Sequence, residues 1–221
     1  MNHGTTTHLI AKEGWKYIAF TGGLFLLALW FGIFTWFFLI LLLLTVYLFR
    51  NPERIPAEDD PLAILSPIDG KICAIEKTKN TLFDDHECLV VAIENSFFDV
   101  SLLRSPCGLS IEKSERHHGL FLSSSHPHAK VVNEQVLLTC KRRDHHLLMR
   151  CIAGMFSRKI ELFKTRGPLK QGQRCGVLVD GRVELLLPKE TRIKASLGDT
   201  MKAGESVLGY FSYDKDTNGT H

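Results

Sequence analysis

The residues of this chain that could do chemistry are unevenly spread. Its ten histidines gather mainly as His117-His118, His126-x-His128 and Asp144-His145-His146, spacings that can supply ligands for zinc or copper. Adjacent histidines on a strand point to opposite faces, so each pair offers one ligand and a metal site needs the three segments to converge. Exposed histidines are the plainer reading, and no metal is expected. The six cysteines show no C-x-x-C spacing, and several lie in apolar runs such as KICAI and ECLVVAI. Reduced, buried thiols of the kind found in cytoplasmic domains are expected. Asp69 stands in Ser66-Pro67-Ile68-Asp69-Gly70-Lys71, where Asp-Gly makes a turn with or without chemistry. The stretch Gly172–Pro188, GQRCGVLVDGRVELLLP, offers one nucleophile, Cys175, and no serine or threonine.

The elements that must position these groups divide the chain. Tyr17–Phe49 is a run of 33 residues without a charge, too long for one membrane span of about 20 residues and short for two. It is not followed by a cleavage site of the signal-peptide kind. A single long tilted helix and a helical hairpin turning near Gly32–Thr35 both remain, and the hairpin is preferred. Lys12 and Lys16 on one side and Arg50 and Arg54 on the other place both ends in the cytoplasm. Trp15 is set to anchor an interface, and Trp30 with Trp36 would lie at the tip. The expected divisions are a tail over 1–16, a membrane-inserted segment over 17–49, a linker over 50–65, a β domain over 66–213 and a tail over 214–221.

Beyond the linker, short β-type runs alternate with turns: KICAIE, ECLVVAIE, FFDVSLL, GLSIEK, KVVNEQVLL, HLLMRCIAG, KIELF, TRIKASL and ESVLGYF. This spacing predicts a mostly β domain, a sandwich or barrel. Within Gly172–Pro188, Val177–Val179 and Val183–Leu187 read as the arms of a hairpin, with Asp180-Gly181 as its type I′ turn. SLGDTMKAGESVLGY reads as another hairpin, turning at Gly198-Asp199 and Ala203-Gly204. With SPIDGKICAIE it resembles the two halves of a barrel-sandwich hybrid, without the lysine that would carry biotin or lipoate. The net charge of +3 is too small to argue for nucleic acid. From Lys141 to Arg174, ten Lys and Arg stand against Asp144 and Glu161. That is a solvated face or a surface for an anionic leaflet, each basic residue contributing about 1 kcal/mol there.

Motifs in order along the chain resemble the phosphatidylserine decarboxylases of the short bacterial and archaeal type. Glu13-Gly14-Trp15 precedes the apolar run, and Phe49–Arg54, FRNPER, follows it like the family's F-F-R-D-P-E-R. Ser66–Lys71 is similar to S-P-x-D-G-K, and Phe98-Asp99-Val100 with Arg104-Ser105-Pro106 to F-D-V-H-x-N-R-x-P. Asn133-Glu134, Ala153-Gly154 and GDTMKAGE follow in the family's order. Gly172–Pro188 resembles the self-processing segment G-x-R-x-G-x-x-x-F-G-S-R-V-D-x-x-x-P, with one residue missing and Glu184 in place of the acid.

The resemblance implies a cofactor made by the chain itself. A serine hydroxyl attacks the preceding glycine carbonyl, the ester eliminates to dehydroalanine, and hydrolysis leaves a pyruvoyl ketone, which takes the substrate amine as a Schiff base. By resemblance, Gly181 is the glycine of the cleaved bond, but Arg182 follows it directly and the serine is absent. Moving the gap upstream puts Gly181 itself at the serine position, with the same loss. The family's histidine base is replaced by Ser101, which is no base at neutral pH. The family's acid is retained as Asp69, here expected to act as a turn former. Arg104, inside R-x-P, is a neighbour for a substrate phosphate or carboxylate by resemblance, or a surface arginine.

The expectation is therefore a non-catalytic homologue in phospholipid metabolism, with no pyruvoyl group. It is held at the cytoplasmic face of the membrane and binds a membrane lipid, an anionic phospholipid among the candidates. A homo-oligomer or a catalytic paralogue is left open as partner. The contrasting expectation is an active decarboxylase that makes phosphatidylethanolamine after processing by another route.

Overall fold

The computed structural model describes residues 14–48, 50, 54–58, 60–79, 87–124, 126–143, 145–157 and 159–212. Most of both tails, residues 51–53 of the linker and Asp144 lie outside the described residues. The chain divides into two units, Met1–Glu53 with Phe98–Val100, and Arg54–Phe97 with Ser101–His221.

The first unit carries two helices, α1 (Trp15–Phe31) and α2 (Thr35–Leu48). The apolar run is thus broken where glycine permits it. Gly32 ends α1 in the left-handed conformation at φ 66°, and its N–H donates to Ala28 O. Ile33 N–H donates to the same oxygen at 3.2 Å and Thr35 Oγ at 3.4 Å, so this one carbonyl gathers the donors of the turn. The single long helix is excluded by this break. At 1.5 Å per residue the helices run about 25 and 21 Å, against about 30 Å of bilayer hydrocarbon. Among the described residues no helix is long and apolar enough to cross a membrane.

The second unit is mostly β. Its strands are β1 (Ala63–Leu65), β2 (Gly70–Lys79), β3 (Glu87–Asn95), β4 (Leu102–Arg104), β5 (Leu109–His117), β6 (Gln135–Arg142) and β7 (His145–Ala153). They continue with β8 (Glu161–Leu162), β9 (Gly167–Leu169), β10 (Arg174–Val177), β11 (Gly181–Pro188), β12 (Arg192–Ile193), β13 (Thr200–Met201) and β14 (Val207–Tyr210). One short helix, α3 (Ala129–Val132), precedes β6, so KVVNEQVLL splits into a helical turn and a strand. β1 is fully buried and takes up the end of the expected linker. Eight strands form one sheet in the order β13-β2-β3-β11-β7-β6-β5-β9, and two three-stranded sheets run β1-β14-β12 and β4-β10-β8. None of these sheets closes into a barrel. Ile64, Leu208, Leu103 and Cys175 of the small sheets share one core with Ile72, Val91, Ile93, Leu138, Val183, Leu185 and Leu187 of the large one.

Both expected hairpins are overturned. β10 pairs with β4 and β8, whereas β11 runs between β3 and β7 in the large sheet. β13 likewise pairs with β2, and β14 with β1 and β12. In each case the chain changes sheets where local turn chemistry suggested that it folds back. The apolar run after Gly181 explains this: Val183, Leu185 and Leu187 face the main core while Leu186 packs with Cys88 and Leu148 on the other face. A strand buried on both faces belongs at the centre of a sheet, and a two-stranded arm cannot supply that burial.

Candidate functional site

Residues 178–180 form the crossover between the two sheets. Gly181 opens β11 at φ 146°, a positive φ that favours glycine but far from the roughly +60° to +90° of a type I′ turn. A Cβ there would overlap the Ile152 carbonyl, so glycine is required for close approach to β7. Asp180 then closes over the end of β7. Gly154 N–H donates to Asp180 O at 2.9 Å, and Phe156 N–H donates to Asp180 Oδ2 at 3.0 Å. A Cβ on Gly154 would collide with the same carboxylate. On the other side of the crossover, Leu178 N–H donates to Ser101 O at 2.8 Å.

Asp69 reaches this region from the turn before β2. Its backbone carbonyl accepts Asn95 Nδ2 at 2.9 Å, and Asn95 is the residue paired with Gly181 across β3 and β11. Asp69, Ser101 and Gly181 are thus brought to one end of the large sheet from three separate segments. The Asp69 carboxylate is more than a turn former. Arg54 grips it end to end, Nη1 to Oδ1 at 2.9 Å and Nη2 to Oδ2 at 2.7 Å, and Ala203 N–H donates to Oδ1 at 2.8 Å. The side chains of the pair are 8% and 11% exposed, so the ions are held in a mostly dry setting where bidentate geometry matters most.

Arg104 is buried, which removes its reading as a surface arginine. Its Nη1 donates to Gly172 O at 3.1 Å and its stem packs under Gly204. Burial, with Arg174 and Arg54 nearby, pulls its guanidinium down to about 10, still a cation at neutral pH. Cys175 is fully buried in β10, and burial pushes its thiol far above the usual range. The nucleophile is the thiolate, so Cys175 has none to offer. Glu184, at the position of the family's acid, lies on the opposite face of β11 from the main core. Arg182 Nε donates to it at 2.9 Å, and Arg150 approaches at 3.5 Å.

The histidines do not converge. His118 is exposed beside Glu134, His126 meets His128, and His145 stacks on Phe211 at 5.7 Å. Among the described residues no group of three or more His, Cys, Asp or Glu could hold a metal ion. All six cysteines are free, five buried and Cys73 half-buried.

Residues 41–209 match the family model of phosphatidylserine decarboxylase. The chain belongs to the phosphatidylserine decarboxylase family. Among its relatives is the phosphatidylserine decarboxylase proenzyme of Desulfotalea psychrophila, 34% identical over 206 residues, which cover 90% of this chain and 95% of the relative. The proenzyme of Burkholderia ambifaria is 35% identical with the same coverage, and that of Burkholderia pseudomallei 34% identical, covering 90% and 94%.

Within this phosphatidylserine decarboxylase fold, sequence reasoning identified Asp69, Ser101, Gly181 and Arg104 but missed the residues that hold them. Arg54 stands in the sequence as a charge flanking the apolar run and as the end of FRNPER, without a sign that it pairs with the aspartate of S-P-x-D-G-K. Gly154 was noted as a motif, but not as the socket for Asp180. Asn95 and Ser157 carried no signal. Both are buried, and Asn95 Oδ1 and Ser157 Oγ have no hydrogen-bond partner among the described residues.

Proposed function

We propose that this chain is a phospholipid-binding member of its family that does not make a pyruvoyl group. The observation that carries the reading is the crossover itself. Gly181 runs directly into Arg182, the residue before it is an aspartate engaged by two backbone amides, and Ser101 stands where a base is needed. No β-hydroxyl is present at the bond to be attacked, so neither ester formation nor elimination can begin. The lipid is held by the decarboxylase site, with Arg104 as a fixed cation near its anionic group. An active decarboxylase serves as partner where one is present.

The relatives carry the word proenzyme in their names, which favours the competing reading of a processed, active decarboxylase. Intact mass of the purified chain separates the two. A single species of the full sequence mass, unchanged by hydroxylamine, is expected; a C-terminal fragment beginning near residues 175–182 with a blocked, ketone-bearing end overturns the proposal.

The α1–α2 hairpin seats this protein in the cytoplasmic membrane, entering and leaving on one face. Trp30 is 85% exposed, Trp36 78% and Phe34 75% around a turn in which Gly32 N–H, Ile33 N–H and Thr35 Oγ all donate to Ala28 O, and aromatic rings so placed suit a bilayer. The exposed cations Lys141, Arg143, Lys159, Lys164, Arg166 and Lys170 suit an anionic leaflet. Retention of the protein in the membrane fraction through a high-salt wash is expected, because salt screens charge and leaves apolar insertion untouched. Release by salt alone removes the hairpin reading.

A further inference from the structure

The loop between β7 and β8 has a shape that nothing in the pyruvoyl chemistry requires. Met155 and Phe156 sit side by side at its tip, 55% and 56% exposed, whereas Ile55, Leu120 and Leu197 of the same unit are exposed singly. The loop is held rigidly. Gly154 N–H is bound by Asp180 O, Phe156 N–H by Asp180 Oδ2, and Ser157 N–H closes the turn on Gly154 O at 3.2 Å. The Phe156 ring packs on Phe97 with centroids 5.3 Å apart. Exposed Lys159 follows the loop, with Arg158 beside it in the sequence. A methionine and aromatic rings set on a hydrogen-bonded turn and followed by an exposed cation match a bilayer interface, where rings enter the headgroup boundary and cations meet phosphates.

We infer that Met155 and Phe156 form a second membrane contact, on the β unit, inserting into the interface of a phospholipid bilayer and pinned for that purpose by Asp180. The inference rests on the membrane reading of the hairpin and adds to it a lipid contact at the crossover that has lost its processing chemistry.

All three tryptophans of the chain, Trp15, Trp30 and Trp36, lie in the helices, which makes fluorescence decisive. In the full chain, Trp15→Phe, Trp30→Phe and Trp36→Phe remove the background, and Phe156→Trp places one reporter in the loop. On reconstitution into vesicles of phosphatidylcholine and phosphatidylglycerol, its emission should shift to the blue and be quenched by lipid brominated on the acyl chain. A second chain that keeps only Trp30 reports the hairpin. Quenching of Trp30 without quenching at 156 overturns the inference and leaves the hairpin reading standing. Quenching of neither removes both. If the loop variant does not fold, amide exchange in the unmodified chain decides: slower exchange at 155–157 with vesicles supports the contact, and unchanged exchange overturns it.

Discussion

Arg54 and Asp69 form a bidentate ion pair, 2.9 and 2.7 Å long, that ties the linker to the turn before β2. The Ala203 amide joins the same carboxylate at 2.8 Å and brings in the turn between β13 and β14. An acid that in its relatives' motif belongs to a processing site is here the junction of three segments. Asp69→Ala should therefore act on stability. Leaving Arg54 buried without its partner costs about 3–5 kcal/mol, read as a lowered midpoint in urea denaturation. A loss below about 1 kcal/mol would mean that the pair is solvated and the junction unimportant.

Gly154 and Asp180 interlock on the other side of the site. Gly154→Ala should destabilise by about 1–3 kcal/mol, the usual cost of overpacking, because its Cβ meets the Asp180 carboxylate. Asp180→Ala removes that obstacle, so the double variant should be less destabilised than the two single losses added together. Additive losses in a double-mutant cycle would show that the two residues do not share the socket.

The strands were largely legible because their apolar residues alternate or run together where one or both faces are covered. The helix break was legible too, since Gly32 supplies the one backbone conformation that ends α1. Sheet membership was not. Asp180-Gly181 has good turn chemistry, but the partners that decide its fate, Asn95 and Ala153, are far away in the sequence. The burial of Leu185, Leu186 and Leu187 outweighs a two-residue preference. Arg54, Asn95 and Gly154 share this difficulty: each acts through a contact that no local pattern encodes.

Thiol chemistry gives a test of the core. Burial pushes Cys107, Cys140 and Cys151 up to about 12 from an ordinary 9.0. In the native chain at mild alkaline pH, a thiol reagent should modify Cys73 alone, and all six cysteines only after denaturation. Between pH 9 and 12 the unfolded chain loses protons that the folded chain keeps, so stability falls as pH rises through that window. The slope is on the order of 1 kcal/mol per pH unit for each such thiol. Rapid modification of several cysteines in the folded protein would contradict the buried cluster.

On the proposed reading, the crossover also decides where a processing serine would have to enter. A serine placed between Gly181 and Arg182 does not enter a hairpin loop. It enters the first pair of a central strand, where Gly181 meets Asn95 on one side and Ala153 on the other. A shift of all of β11 by one residue would turn Val183 and Leu185 out of the core, so the insertion must be taken up as a bulge at the strand's first residue. The hydroxyl would then lie beside the Gly181 carbonyl, with Ser101 across the crossover, its backbone bound to Leu178. Ser101→His supplies a base at that place. The insertion together with Ser101→His should release a C-terminal fragment slowly, detected by intact mass over hours. The insertion alone should stay whole, because a serine at position 101 cannot take the proton. Cleavage of the insertion variant without the histidine would sink this account of the missing base, and an intact double variant would show that Arg54 and Asp180 hold the site in a geometry that a hydroxyl and a base do not undo.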